Sequence, residues 1–246
     1  MQGNGDTVDR EDIDRFAAHS ASWWDPGGSF RPLHRINPAR LEFIRRHLLA
    51  HFRRDARSLR PFEGLALLDI GCGGGLVAEP MARLGFAVSG IDAGAEAIAA
   101  ARAHAEASGL TIDYRIGSIE TLARAGERFD VVLALEIVEH VADRDAFLAG
   151  LGRLVKPGGA LIGATLNRTG WSFALAIVGA EYLLGWLPRG THDWNRFVRP
   201  SEFVLGLRRG GLAATGLAGL GYDFVSGKWS ETEDLSVNYM VVAVRR

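Results

Sequence analysis

The chain has 246 residues, 48% of them hydrophobic, with a formal net charge of −1. That length suits one domain with a large core and peripheral additions, and the balanced charge excludes a global pull toward nucleic acid. The single cysteine, Cys72, excludes an internal disulfide and fits a reducing compartment.

The N-terminal stretch MQGNGDTVDREDID is acidic and polar, the reverse of a secretory leader's order, so a cytosolic location is expected. Residues 1–7 are expected to be disordered. From Val8 to Trp24, the residues Ile13, Phe16, Ala17 and Trp23 or Trp24 keep a loose helical period. D-P-G-G at Asp25 to Gly28 predicts a turn. Asn37-Pro38 predicts a helix opening there, with Asn as cap and Pro at the first position, and running to about Phe52. Residues 31–60 carry nine arginines against Glu42 and Asp55. They form either a solvated basic helix or a surface facing anionic lipid or an anionic ligand.

From Ala66 strands and helices alternate. A-L-L-D-I-G (Ala66 to Gly71) predicts a buried strand and L-V-A-E-P-M-A-R-L a helix. Strands follow at Phe86 to Asp92, Ile112 to Ser118 and Phe129 to Glu136, with a helix ending on Gly109. A helix spans Asp143 to Val155, K-P-G-G turns the chain, and a strand covers Ala160 to Asn167. A helix at Pro200 to Arg209 and strands at about Ala213 to Tyr222 and Asn238 to Val244 complete the set. The fold class is therefore α/β, with a doubly wound, mainly parallel seven-stranded sheet. Residues 1–60 form an N-terminal helical extension or lid, 61–246 the main domain, and 168–199 an apolar, helical insertion after the fifth strand.

The loop in L-L-D-I-G-C-G-G-G-L-V-A-E-P joins a buried strand to a helix. Its glycines permit a sharp turn and a close ligand, and the helix N-terminus offers unpaired N–H groups. Gly73, Gly75 and Ala78 satisfy the weak G-x-G-x-x-G/A pattern of dinucleotide sites. A bare strand-to-helix turn is the plainest alternative. Asp69, however, suits a cationic ligand and opposes a pyrophosphate. No G-K-[ST] follows, which excludes a Walker phosphate loop. Asp69, Gly71, Gly73 and Gly75 compose D-x-G-x-G-x-G, and the loop closely resembles the signature of S-adenosylmethionine-dependent methyltransferases. Asp92, at the end of the second strand, can take both hydroxyls of a ribose. Ser118-Ile119 stand where many members of that superfamily carry Asp and a hydrophobic residue against adenine, and the Ser is a departure.

Glu136, Glu139 and His140 cluster after the fourth strand, where open α/β sheets bind their ligands. His140 suits a general base for a phenol, whose pKa is about 10. Two glutamates and an imidazole also suit a divalent cation such as Mg²⁺. Partnering the cofactor, or capping a helix, is the structural alternative.

Several longer stretches carry a narrower resemblance: SASWWDPGGSFRPLHRINPARLEFI, LEIVEHV, TLNRTGWSFALAIVGAEYLLGWLPRGTHDWNRFVRP and the terminal VNYM. Together with the glycine loop they resemble the ubiquinone-biosynthesis O-methyltransferase family, from about Val8 to Met240. The resemblance implies a class I, Rossmann-like methyltransferase using adenosylmethionine. It implies substrates that are polyprenyl catechols and demethylubiquinol. It implies cofactor contacts at Arg40, Gly71, Asp92 and Leu135, and in some members Mg²⁺ through the positions of Glu136, Glu139 and His140. Arg40 can grip the methionine carboxylate bidentately. Trp23 and Trp24 serve either as a lid or as core anchors.

Trp171 to Trp186 is almost wholly apolar. As a helix it would measure roughly 24 Å at about 1.5 Å per residue, short of the about 20 apolar residues a membrane span needs. It suits an interfacial segment reaching a bilayer-borne prenyl substrate, with Tyr182 within it and Arg168, Arg189, Arg196 and Arg199 toward anionic headgroups; a helix buried in the core or at a dimer interface is the alternative. The expected place is peripheral, on the inner face of the cytoplasmic membrane, possible membership of a ubiquinone-biosynthesis complex included. The competing readings are a methyltransferase on another aromatic or lipid substrate, with C- or N-methylation included, an NAD(P)-dependent oxidoreductase and a non-catalytic membrane-binding protein.

Overall fold

The computed structural model describes residue 7 and residues 22–173, 193–223 and 225–246. Most of the expected Val8 to Trp24 helix and the Trp171 to Trp186 segment beyond Phe173 lie outside these residues, as does Arg189.

The central strands are β1 (Ala66–Ile70), β2 (Ala87–Asp92), β3 (Asp113–Ile116), β4 (Phe129–Leu135) and β5 (Val155–Leu166). They are followed by β6 (Leu212–Asp223), β7 (Lys228–Thr232) and β8 (Asn238–Arg245). The sheet order is β3-β2-β1-β4-β5-β8-β6-β7. β1 to β5 run parallel. β8 runs antiparallel to both β5 and β6, and β7 is antiparallel to β6. The order reverses between β1 and β4, which opens a crevice at their carboxyl ends.

Alternate residues of each strand face opposite layers, as the two-residue strand period requires. Leu67, Val131, Leu133 and Ile162 join Phe43, Ile44, Leu48, Met81 and Ile98 on one face. Those partners come from helices α1 (Arg31–His51), α2 (Ala78–Arg83) and α3 (Ala95–Ala107). Leu68, Val132 and Leu161 join Ile119, Phe147, Leu151, Phe203 and Leu207 on the other, drawn from α4 (Ile119–Ala125), α5 (Arg144–Leu154) and α6 (Pro200–Arg209). Both faces are covered, which is why the inner strands carry consecutive apolar residues rather than a strict alternation.

Four expectations are corrected. The sheet has eight strands, not seven. The extra one, β7, is an edge strand of sequence K-W-S-E-T with only partial burial, so it lacks the apolar run that marks an inner strand. α1 begins at Arg31, with Pro32 in its first turn, rather than at Asn37-Pro38. Asn37 is buried inside it, and its amide donates to Leu76 O at 3.3 Å instead of capping. α4 is an unexpected helix, and Ser118 stands at its N-cap. Thr7, expected to be disordered, is buried: Ala142 N–H donates to its carbonyl at 2.7 Å. A smaller difference concerns K-P-G-G, which loops out within β5, since Val155 pairs with Phe129 and Ala160 with Val131.

Candidate active site

The glycine loop leaves β1 at the crevice. Gly71, Gly73 and Gly75 all have positive φ, at 68°, 51° and 89°, a region glycine enters without steric cost. The N–H groups of Gly71 and Cys72 both donate to Ile91 O, at 2.8 and 3.0 Å. This ties the loop to β2. A methyl group on Gly71 would lie 2.8 Å from Ile137 Cδ1, and one on Gly75 would lie 2.2 Å from Tyr114 Oη. The loop therefore touches both β3 and the turn after β4.

Two carboxylates frame it. Asp92 closes β2, and its two oxygens accept from Gly73 N–H at 2.9 Å and Gly94 N–H at 2.8 Å. Burial pushes its carboxyl above the usual range, against the pull of those N–H groups. Asp69 is buried in β1. Burial first, then the negative charge of Asp92, push its carboxyl up to about 7. The buried Asp69 and the half-buried Asp92 repel each other without a cation, and a positively charged ligand would relieve both.

The N-terminal layer covers the loop. Trp23 stacks on Phe30 with ring centres 3.6 Å apart and lies on Gly73 and Gly74, where any side chain would collide with its ring. Trp24 Nε1 donates to Gly74 O at 2.8 Å, and its ring stacks on His104 at 3.5 Å. α1 ties these parts together: His34 Nε2 meets Trp23 O at 2.8 Å, Asn37 reaches Leu76, and Arg40 reaches the corner after β4.

In that corner Leu135 is the last residue of β4. Glu136 takes φ 50°, a strained conformation for a residue with a side chain, and its N–H donates to Ala164 O at 2.9 Å. Its Oε1 meets Arg40 Nη2 at 2.5 Å, with the arginine side chain only 6% exposed. Glu139 is buried, and its Oε2 accepts from Thr165 Oγ1 at 2.8 Å. Its Oε1 has no hydrogen-bond partner among the described residues. Burial first, then the charge of Glu136, hold the Glu139 carboxyl well above the carboxylate range. His140 ends the 3-10 turn Val138–His140 and is half-buried.

The arrangement bears on both groups the sequence implies. For Mg²⁺ the donor set does not fit. Glu136 is engaged by a guanidinium, Glu139 is pushed toward its neutral form, and among the described residues no cluster of three His, Cys, Asp or Glu side chains could hold a metal. For adenosylmethionine the residues do fit. Asp69 and Asp92 supply negative charge, Gly71 to Gly75 a cradle with no side chains, and Arg40 a buried guanidinium whose Nε has no partner among the described residues. Ser118 Oγ is buried and likewise without a partner, beside the buried Ile119.

Asp69, Gly71, Gly73, Gly75, Asp92, Arg40, Leu135 and Glu136 thus gather around one crevice at the carboxyl ends of β1, β2 and β4. Sequence reasoning missed Thr165, the partner of Glu139. A hydroxyl within the apolar run of β5 was the available signal, because buried polar groups need partners. It also missed Glu79, 2% exposed and paired with His104 Nδ1 at 2.6 Å, for which the sequence offered no signal. The flanking Arg168 pairs with Glu202 rather than pointing outward alone.

A family described as a methyltransferase domain matches residues 68–163. The chain is 56% identical over 239 residues to the ubiquinone biosynthesis O-methyltransferase of Paramagnetospirillum magneticum, covering 97% of this chain and 96% of that one. It is 54% identical over 241 residues to the protein of the same name from Cereibacter sphaeroides, covering 98% of each. Among solved structures, the magnesium protoporphyrin IX methyltransferase of Synechocystis PCC 6803 with bound SAH aligns over 96% of this chain and 95% of that one, at 18% identity and a TM-score of 0.62. That likeness is one of fold.

Proposed function

The chain belongs to the ubiquinone biosynthesis O-methyltransferase family and is an S-adenosylmethionine-dependent methyltransferase, and from that premise we propose that it methylates ring hydroxyls of polyprenyl catechols and demethylubiquinol. The observation that carries this reading is the contact between the cofactor loop and the corner after β4, Gly71 against Ile137. It brings a methyl donor's cradle against the residues that would handle an acceptor hydroxyl.

Bound adenosylmethionine supplies an electrophilic methyl group on a sulfonium. Asp92 takes the ribose hydroxyls, Arg40 the methionine carboxylate, and Ser118 with Ile119 the adenine edge. Asp69 offsets the cofactor's positive charge. In the corner Glu136 meets Arg40 and Glu139 meets Thr165. His140, which ends the turn Val138–His140, is the residue assigned to remove the phenolic proton. Such a base contributes about 10²–10⁴-fold. The remaining acceleration would come from the crevice residues positioning the acceptor hydroxyl beside the bound cofactor.

The prenyl tail places the substrate in a bilayer. Trp171 and Phe173 are 67% and 48% exposed. They stand after the carboxyl end of β5, on the crevice edge of the sheet. Their base is fixed, because Thr169 Oγ1 accepts from Ser172 N–H at 3.0 Å and Trp194 Nε1 donates to Thr169 O at 2.8 Å. Exposed aromatics on a fixed turn support a peripheral membrane contact through Trp171 to Trp186, on the inner face of the cytoplasmic membrane, where other enzymes of the same biosynthesis would meet it. No helix among the described residues is long and apolar enough to cross a membrane.

The test is mass spectrometry of the product. Purified protein, adenosylmethionine and a short-tailed reduced demethylubiquinol or prenyl catechol are combined, with and without chelator. One methyl gained on a ring oxygen in both lanes, and lost with His140→Ala, is expected. Bound adenosylmethionine without ring O-methylation, liposomes included, overturns the substrate reading; loss only with chelator overturns the metal-free one.

A further inference from the structure

We propose that Trp23 is a cofactor-binding residue whose indole N–H donates to the methionine carboxylate of adenosylmethionine, together with Arg40. The proposal rests on the cofactor assignment above and goes beyond it in naming a residue and a contacted group.

The two adjacent tryptophans of W-W-D are used differently. Trp24 has the surroundings of a structural tryptophan. Its N–H is spent on Gly74 O, and its ring is stacked on His104, which is itself held by the buried Glu79. Trp23 is the more buried of the two, at 9% exposure, yet its Nε1 has no hydrogen-bond partner among the described residues. Leaving a buried donor unpaired is costly, so an indole placed for packing alone would ordinarily find an acceptor.

Its orientation is set from several sides. Phe30 stacks on one face, His34 holds its backbone carbonyl, and the ring spans Gly73 and Gly74. The outer edge of the ring, Cη2 nearest, faces Gly73, while Cγ and Cδ2 face Gly74. The indole thus lies along the loop over its whole length, and its unpaired N–H belongs to the layer that covers the loop.

The chemistry selects the acceptor. Asp92 accepts hydrogen bonds only and so suits hydroxyl donors of a ribose. An indole N–H donates only, and adenosylmethionine offers one anionic acceptor, its carboxylate. Arg40 Nε is a second buried donor without a partner among the described residues. It belongs to α1, the helix that also holds Trp23 through His34.

Binding is read by calorimetry with S-adenosylhomocysteine, which retains the carboxylate, and with methylthioadenosine, which lacks the whole amino-acid arm. In Trp23→Phe, which keeps the aromatic stack on Phe30 and removes the N–H, adenosylhomocysteine is expected to bind roughly tenfold or more weakly, the effect of one hydrogen bond to a charged group. Methylthioadenosine should bind within about twofold of the unaltered chain. If both ligands weaken equally, or neither does, Trp23 is a core anchor or a plain cover and the proposal is overturned. Should Trp23→Phe fail to fold, the unaltered chain gives the same answer by magnetic resonance. One indole N–H should shift downfield with adenosylhomocysteine and not with methylthioadenosine; equal shifts, or none, overturn it. Failure of the unaltered chain to bind adenosylhomocysteine at all would instead overturn the cofactor premise.

Discussion

Arg40 and Thr165 show how single side chains hold the corner after β4. Arg40 is buried and carries an ion pair to Glu136, whose backbone sits at a strained φ of 50°. The guanidinium is planar and forks toward two acceptors, a geometry that a lysine ammonium cannot reproduce. Arg40→Lys is expected to weaken adenosylhomocysteine binding by about tenfold, as expected for loss of a charge-assisted bond. Unchanged affinity in calorimetry would remove Arg40 from the cofactor site. Thr165 matters through Glu139: without its hydroxyl, the buried Glu139 Oε2 would lose the side-chain donor it has at 2.8 Å. Thr165→Val is near-isosteric and should cost roughly 1–3 kcal/mol of stability, the penalty for an unsatisfied buried group. Urea midpoints matching those of the unaltered chain would show that the pair contributes nothing.

Helices α5 and α6 meet through glycines, and this contact is the element-scale weak point of the fold. A methyl group on Gly152 of α5 would lie 1.8 Å from Gly210 O, just past the end of α6. Backbone cannot yield as a flexible side chain does, so Gly152→Ala should destabilise by roughly 1–3 kcal/mol through overpacking, despite alanine's better helix propensity. A melting temperature equal to or above that of the unaltered chain would contradict the packing described. The sequence is legible where elements are buried on both faces. β1, β4 and β5 each carry a run of buried apolar residues, Leu67-Leu68, Val131 to Ala134 and Ala160 to Ala164, and α6 matches its expected bounds because Pro200 opens it and Gly210 closes it. It is illegible where tertiary contacts decide. β7 pairs only along β6 and shows no apolar run. Pro38 resembles a helix start but lies inside α1, whose packing of Phe43, Ile44 and Leu48 outweighs the lost hydrogen bond. At the site, the glycines of the D-x-G-x-G-x-G loop were readable because their positive φ demands glycine, and Asp92 because it ends a largely apolar strand. The Arg40–Glu136 pair joins residues 96 positions apart, a separation no local pattern spans.

Across the molecule, buried acid in the crevice links folding, cofactor and pH. Asp69, Asp92 and Glu139 all have carboxyls raised above their ordinary range, chiefly by burial. For Asp69 the shift runs from 3.8 to about 7. A carboxyl raised in the folded state binds more protons folded than unfolded between those values, so it makes stability fall as pH rises through that window. The penalty is absent below about pH 4 and complete above about pH 7. The free protein should therefore lose stability relative to Asp69→Asn as pH increases from 4 to 7, with the difference constant beyond. A cationic cofactor reverses the balance, because positive charge beside Asp69 favours its ionised form. Adenosylmethionine should bind more tightly as pH rises toward 7, releasing a fraction of a proton, while the neutral-sulfur adenosylhomocysteine should release less. Calorimetry in buffers of different ionisation enthalpy measures that release directly. Equal release for both ligands would mean that the sulfonium lies away from Asp69, and that the acid serves the ammonium of the methionine arm, which both ligands share.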